Sequence, residues 1–221
     1  MNQFISSIKS SALRYESQKD VIENLYLPAI VESYNRICLI HGISKLIENK
    51  IRDEFIKDFQ YKNTLLKDYI DNNTIKLTNE TRILSESKNE FRTDIEFFIS
   101  FYGNFVIECK RLSSAESRYI KGRDVNGEYK VDGIERFVNL AYSKNDTSAC
   151  MLAFVINGNP QLIMEKLRDL VESFHPSKIP NNLIKKRCAD WEMSFQSLHN
   201  RADNSDIQIY HFFFPFLKST E

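Results

Sequence analysis

The chain has 221 residues, enough for one domain of ordinary size with an elaboration and short for two. Apolar residues make up 42% and charged residues 27%, a composition that packs a core and excludes wholesale disorder. Lys+Arg number 30 and Asp+Glu 30, so there is no global cationic field, and a nucleic-acid partner would have to be held by a local basic patch.

The longest apolar run, residues 149–156, is far short of the roughly 20 residues of a membrane span. Residues 1–14 alternate polar and apolar side chains and lack an apolar signal core, so no secretory signal is expected. Cys38, Cys109, Cys150 and Cys188 lie far apart without a C-x-x-C pair. That spacing argues against a zinc site or a disulfide framework and for a reducing, cytoplasmic compartment.

In chain order, residues 21–40 read as helix, with Pro28 as a break or first-turn residue. Gly42 and the N-cap candidate Ser44 precede a second helix, whose Leu46, Ile47, Ile51, Phe55 and Phe59 fall on one face. Asp71-Asn72-Asn73 is a turn cluster. From Asp94 the period changes to two. Ile95, Phe97, Ile99 and Phe101 form one face of a strand, and Phe105, Ile107 and Cys109 form the matching face of the next.

Register follows from parity. If the odd residues of both strands face the core, opposed residues must sum to an even number, and a three-residue loop pairing Phe101 with Phe105 does this. Asp94, Glu108 and Lys110 then project from the same face. A helix over residues 132–142 has Ile134, Phe137, Val138 and Ala141 as its stripe. Residues 149–157 read as a buried strand, Pro160 opens a helix running to about Phe174, and residues 195–201 and 207–214 read as two further strands. This order predicts an α/β sandwich with a mixed sheet.

The informative constellation is Asp94 followed by Glu108-Cys109-Lys110. Two carboxylates converging on one sheet face are costly unless a cation holds them. A hard divalent ion such as Mg²⁺ needs only one or two carboxylates, with phosphate and water completing its shell. Lys110 points the same way as Glu108, and an ammonium there can orient or activate water and neutralise charge on phosphorus. As bare spacing the pattern is weak, because exposed strands often carry Glu/Lys pairs. Its setting at the end of an apolar strand raises it.

Arg92-Thr93-Asp94-Ile95 with the segment from Phe105 to Leu112 resembles the core of the PD-(D/E)XK nuclease superfamily, the restriction-endonuclease-like fold, in its bacterial defence-type members. Gly133 to Val138, Tyr142-Ser143, Met151 to Val155, Ser197-Leu198-His199 and the strand around His211 are also similar to that group. The likeness spans roughly residues 44–214, with residues 92–112 the specific part, and Thr93 stands where the superfamily name has proline. The resemblance implies a restriction-endonuclease-like mixed β-sheet flanked by helices over residues 44–221, preceded by an N-terminal helical extension, residues 1–43.

It further implies that Asp94 and Glu108 are metal ligands, that Lys110 is the catalytic lysine, and that the first helix adds an acid. Glu48 is favoured for that acid, since Glu-x-x-Ile-Arg looks like the family's helix motif, and Glu54 stands second. The alternative for Glu48 is an i,i+4 pair with Arg52. Glu96 is either an outer partner of the site or a solvated strand carboxylate. Arg136 either contacts phosphate or forms a surface pair with Asp132.

Arg111, Arg118, Lys121 and Arg123 belong to a segment, residues 110–130, with a local net charge of +3, from six Lys/Arg against three Asp/Glu. It suits a loop tracking a nucleic-acid backbone, although solvated loops often look alike. His199 either faces the groove or is structural. The implied activity is a Mg²⁺-dependent DNA endonuclease, with Mn²⁺ substituting, in a restriction or anti-phage setting, working as a homodimer or as the cutting subunit of a larger complex. The alternatives are a ribonuclease and a non-catalytic partner-binding module of the same fold.

Overall fold

A computed structural model describes residues 15–80, 82–84, 90–114, 117–123, 129–142, 145–174, 182–184 and 187–216; for 82–84, 90–91, 117, 122–123, 129–130 and 182–184 only the backbone is described. The first elements among the described residues are α1 (Gln18–Val21), a π turn (Ile22–Tyr26) and α2 (Leu27–Ile37), which follow one another without a break. Pro28 has no N–H to donate, and just before it the ladder widens, with Leu27 N–H reaching Ile22 O. A short 3₁₀ turn (Ile43–Lys45) leads to α3 (Glu48–Tyr61), followed by α4 (Lys67–Asp71). The expected N-cap, Ser44, lies within that 3₁₀ turn, and Ile47 occupies the cap position instead. The stripe expected for α3 is seen in Ile51, Phe55 and Phe59, all fully buried, while Ile47 is exposed.

The strands are β1 (Lys76–Asn79), β2 (Arg82–Leu84), β3 (Glu90–Arg92), β4 (Ile95–Ile99), β5 (Gly103–Leu112), β6 (Gly122–Arg123), β7 (Tyr129–Lys130), β8 (Ser148–Val155), β9 (Asn182–Ile184), β10 (Ser194–Asn200) and β11 (Asp206–Pro215). Two helices lie among them, α5 (Ile134–Val138) and α6 (Pro160–Glu172). The main sheet runs β1-β4-β5-β8-β11-β10-β9. The pairs β5/β8 and β8/β11 are parallel and the others antiparallel, so the sheet is mixed, as the pattern predicts. The pairs β2/β3 and β6/β7 form separate small ribbons.

Both faces of the sheet are covered, so its central strands read as continuous apolar runs. Ile95, Phe97, Phe105, Ile107, Cys109, Cys150, Leu152, Phe154, Tyr210, Phe212 and Phe214 pack with the helices of residues 18–61. The opposite parity, with Val106, Ala149, Met151, Ala153, Ile209 and Phe213, packs with α5 and α6. Residues of α1, the π turn and α2 share the sheet's core, and Tyr26 stacks on Phe97 and Phe105 at centroid distances of 4.7 and 5.6 Å.

The hairpin keeps the expected parity but not the expected pairing. Phe97 pairs with Phe105 and Ile99 with Gly103, so the three-residue loop is Ser100-Phe101-Tyr102, and Phe101 is 74% exposed at its tip. Gly103 takes φ +80° as the chain re-enters the sheet, a conformation open to glycine, and this favours closure there rather than two residues later. The helix expected over residues 132–142 is also shorter. It ends after Val138, and Leu140 turns the chain at φ +59°.

Candidate active site

The observed register does what the expected one could not. One step beyond the Ile95–Ile107 pair it sets Asp94 across from Glu108. Asp94 sits at the bend before β4, where its Oδ2 accepts from Cys109 N at 2.7 Å. This bond ties the aspartate to the strand that carries Glu108 and Lys110. Those two side chains leave β5 on the α5 side of the sheet, opposite the face where Cys109 packs.

Glu108 is completely buried, and Lys110 nearly so. Lys110 Nζ donates to Glu108 Oε1 at 2.6 Å and to Asp132 Oδ1 at 2.9 Å. Arg136, from α5, donates through Nη1 to the same Glu108 oxygen at 2.8 Å, and its Nη2 lies 3.3 Å from Asp132 Oδ1. The guanidinium carbon stands 5.2 Å from the centre of the Tyr142 ring, and the Tyr142 hydroxyl accepts from Arg136 while donating to Arg92 O. Glu108 Oε2, by contrast, is buried and has no hydrogen-bond partner among the described residues.

On the other side of Asp94, the buried Arg52 donates to Asp94 Oδ1 at 3.2 Å, to Asp53 at 3.2 Å and to Glu80 at 2.9 Å. The i,i+4 pair with Arg52, the alternative for Glu48, does not form among the described ion pairs, and Arg52 ties to Asp94 across the site instead. Glu48, in the first turn of α3, accepts from Arg111 N through Oε2 at 2.6 Å.

Electrostatics follow from this burial. Desolvation pushes the Glu108 carboxyl up to about 7, against the pull of Lys110 and with a further push from Asp94. Asp94 is raised by burial and by Glu48, opposed by the Cys109 amide and Lys110. Burial alone would lower Lys110, but Glu108 and Asp132 more than offset it, so the ammonium is held protonated. Asp132 is lowered despite its burial, because Lys110 and Arg136 face it. Lys110 is thus a hydrogen-bond donor and a fixed charge rather than a base, which narrows the role expected for it to orientation.

The donor set suits a hard divalent cation. Asp94 and Glu108 offer carboxylate oxygen, and Glu108 Oε2 is desolvated and takes no hydrogen bond from the described residues. Among the described residues no group of three or more His, Cys, Asp or Glu is arranged to hold a metal ion, so the ion's remaining positions would fall to water and phosphate.

Other expected site residues are distributed as follows. Glu54 pairs with Lys57 at 2.6 Å on the outer side of α3, since its position turns it from the face that carries Glu48. Glu96 lies half-buried further along β4, between Val106 of β5 and Thr78 of β1. Arg111 is half-buried, and its Nη2 reaches Ser44 O at 3.5 Å. Arg118 is exposed and donates to Arg111 O, and Lys121 is exposed. The Arg123 side chain lies outside the described residues, as do residues 124–128 of the basic segment.

His199 does not face a groove. It is fully buried, its Nε2 2.7 Å from Ser197 Oγ. The chain continues to His211 Nε2 at 2.7 Å and from His211 Nδ1 to Tyr119 OH at 2.9 Å. Strand parity does place Ser197, His199 and Arg201 on one side, but that side is packed.

Three contributors were not assigned to the site from sequence: Arg52, Asp132 as the partner of Lys110, and Tyr142 as the support of Arg136. Asp132 carried a signal, its i,i+4 spacing from Arg136. The ties from Arg52 to Asp94 and from Asp132 to Lys110 span 42 and 22 residues, and no local pattern reports them. No described helix is long and apolar enough to cross a membrane. Comparison with family models, with curated proteins and with solved structures returns no match for this chain.

Proposed function

We propose that this protein is a metal-dependent phosphodiesterase of PD-(D/E)XK type, acting on nucleic acid in the cytoplasm, with DNA as the favoured substrate and Mg²⁺ or Mn²⁺ as the ion. The observation that carries the reading is the buried, unpartnered Glu108 Oε2 beside Asp94 and the pinned ammonium of Lys110. A desolvated carboxylate oxygen without a partner is costly, and cation binding offsets that cost.

Asp94 and Glu108 would hold the ion, with Glu48 on the Asp94 side. The bound ion would supply Lewis acidity toward phosphate and stabilise charge on the leaving oxygen. Lys110 donates a hydrogen bond that orients the attacking water and steadies negative charge building on the phosphate. Arg136 neutralises the carboxylates from the α5 side, and the exposed Arg118 and Lys121 are suited to the phosphate backbone. Water attacks phosphorus and the phosphorus–oxygen ester bond opposite it breaks. A defence setting, and action as a homodimer or as the nuclease subunit of a larger complex, are parts of the same proposal.

The test incubates the protein with supercoiled plasmid, single-stranded DNA and RNA, in Mg²⁺, Mn²⁺ or EDTA. Cleavage of DNA that needs the metal and falls about 100-fold or more in Lys110→Ala and Asp94→Ala is the expected result. Cleavage undiminished in Lys110→Ala refutes the mechanism, and preference for RNA moves the substrate class. Absence of any Asp94-dependent Mn²⁺ binding favours the non-catalytic binding module.

A further inference from the structure

Glu108 and the three charged groups beside it form a closed ring. Lys110 Nζ touches Glu108 Oε1 and Asp132 Oδ1 at 2.6 and 2.9 Å, and Arg136 touches the same two oxygens at 2.8 and 3.3 Å. The two cations thus share one oxygen of Glu108 and leave the other, Oε2, buried without a partner. Two like charges converging on one oxygen repel each other, and the equivalent second oxygen would relieve them. The second carboxylate at the far corner, Asp132, offsets that repulsion and keeps both cations on the same side.

We infer that Asp132 is a positioning residue of the site proposed above. Through Lys110 and Arg136 it holds the Glu108 carboxylate so that Oε2 stays free of hydrogen bonds and can take a divalent cation. The inference rests on the metal-dependent reading. Without the Asp132 charge, one of the two cations turns onto Oε2 and closes that position. The ion pairs of Asp132 are with Lys110 and Arg136, so its effect on Glu108 passes through the two cations.

The test measures Mn²⁺ affinity by electron paramagnetic resonance on the full chain, with thermal melting in EDTA to establish that each variant is folded. Asp132→Asn should weaken Mn²⁺ binding by about 10- to 100-fold, the range typical when a partner behind a metal ligand is removed. Asp132→Glu, which keeps the charge, should restore most of the affinity.

Arg136→Gln separates positioning from simple charge. It removes a cation beside the site, so electrostatics alone would strengthen Mn²⁺ binding, whereas opening the ring should weaken it. Unchanged affinity in folded Asp132→Asn, or tighter binding in Arg136→Gln, overturns the positioning role while leaving the hydrolase reading in place if Asp94→Ala abolishes binding. A wild-type chain that binds no Mn²⁺ overturns both. Should Asp132→Asn fail to fold, Asp132→Glu and Arg136→Gln still decide the question.

Discussion

Glu108 is a fully buried carboxylate whose desolvation the neighbouring cations only partly offset. Its carboxyl rises from 4.5 to about 7 on folding because burial outweighs the cations around it. An acid raised in this way contributes full stability below its unfolded value and loses it as pH climbs through the folded value. The metal-free protein should therefore lose about 3 kcal/mol through this group between about pH 4.5 and pH 8. Glu108→Gln cannot ionise, so it should melt higher than wild type at pH 8 in EDTA, with the difference vanishing near pH 5. Divalent cation should raise the melting temperature of wild type and not of the variant. Equal melting curves at pH 8 would show that the ion pairs with Lys110 and Arg136 fully compensate the burial. The residue types and spacing of Asp94, Glu108 and Lys110 were legible from sequence because strand parity is local. The exclusion of Glu54 and the burial of His199 were not, because both depend on what packs against their elements.

At the level of elements, the turn into α5 governs the ring. Gly133 has φ +54° and ψ −137°, and a Cβ there would come within 2.2 Å of Tyr119 O. Both the conformation and the clash are with fixed backbone, so no side-chain adjustment relieves them. Gly133→Ala should cost about 3 kcal/mol or more in urea denaturation. It should also lower Mn²⁺ affinity in whatever fraction stays folded, because Asp132 and Arg136 flank the turn. A neutral effect on stability would mean that the approach of α5 to residues 118–120 is looser than its geometry implies. The shortness of α5 had no clear sequence signal, since the apolar spacing of Ile134, Phe137, Val138 and Ala141 continues past the point where Leu140 reverses the backbone. The hairpin shows the converse. Parity fixed which residues face which side, while the glycine conformation at residue 103 selected the pairing among registers of equal parity.

For the molecule as a whole, the helices of residues 18–37 and the sheet share one core, with Phe97 lying against both Tyr26 and Phe59, at 4.7 and 5.2 Å. Phe97→Ala should cost about 3–5 kcal/mol, the usual range for removing a buried ring. Far-ultraviolet dichroism and tryptophan fluorescence should then fall in a single transition, since Trp191 packs on the same side against Tyr34 and Phe214. Two separated transitions would show that the N-terminal helices unfold on their own. By itself the sequence determined the α/β class, the mixed sheet, the faces of its strands and the three residues at the centre of the candidate site, because periodicity and residue chemistry act over a few positions. Only the tertiary structure decided that Asp94 is tied to the strand of Glu108 through Cys109 N, that Arg52 and Asp132 complete the charge pattern, and that one oxygen of Glu108 is buried without a hydrogen bond from the described residues. Those outcomes are set by contacts between elements distant in the chain, where burial and the balance of charges choose among arrangements that local pattern leaves equal.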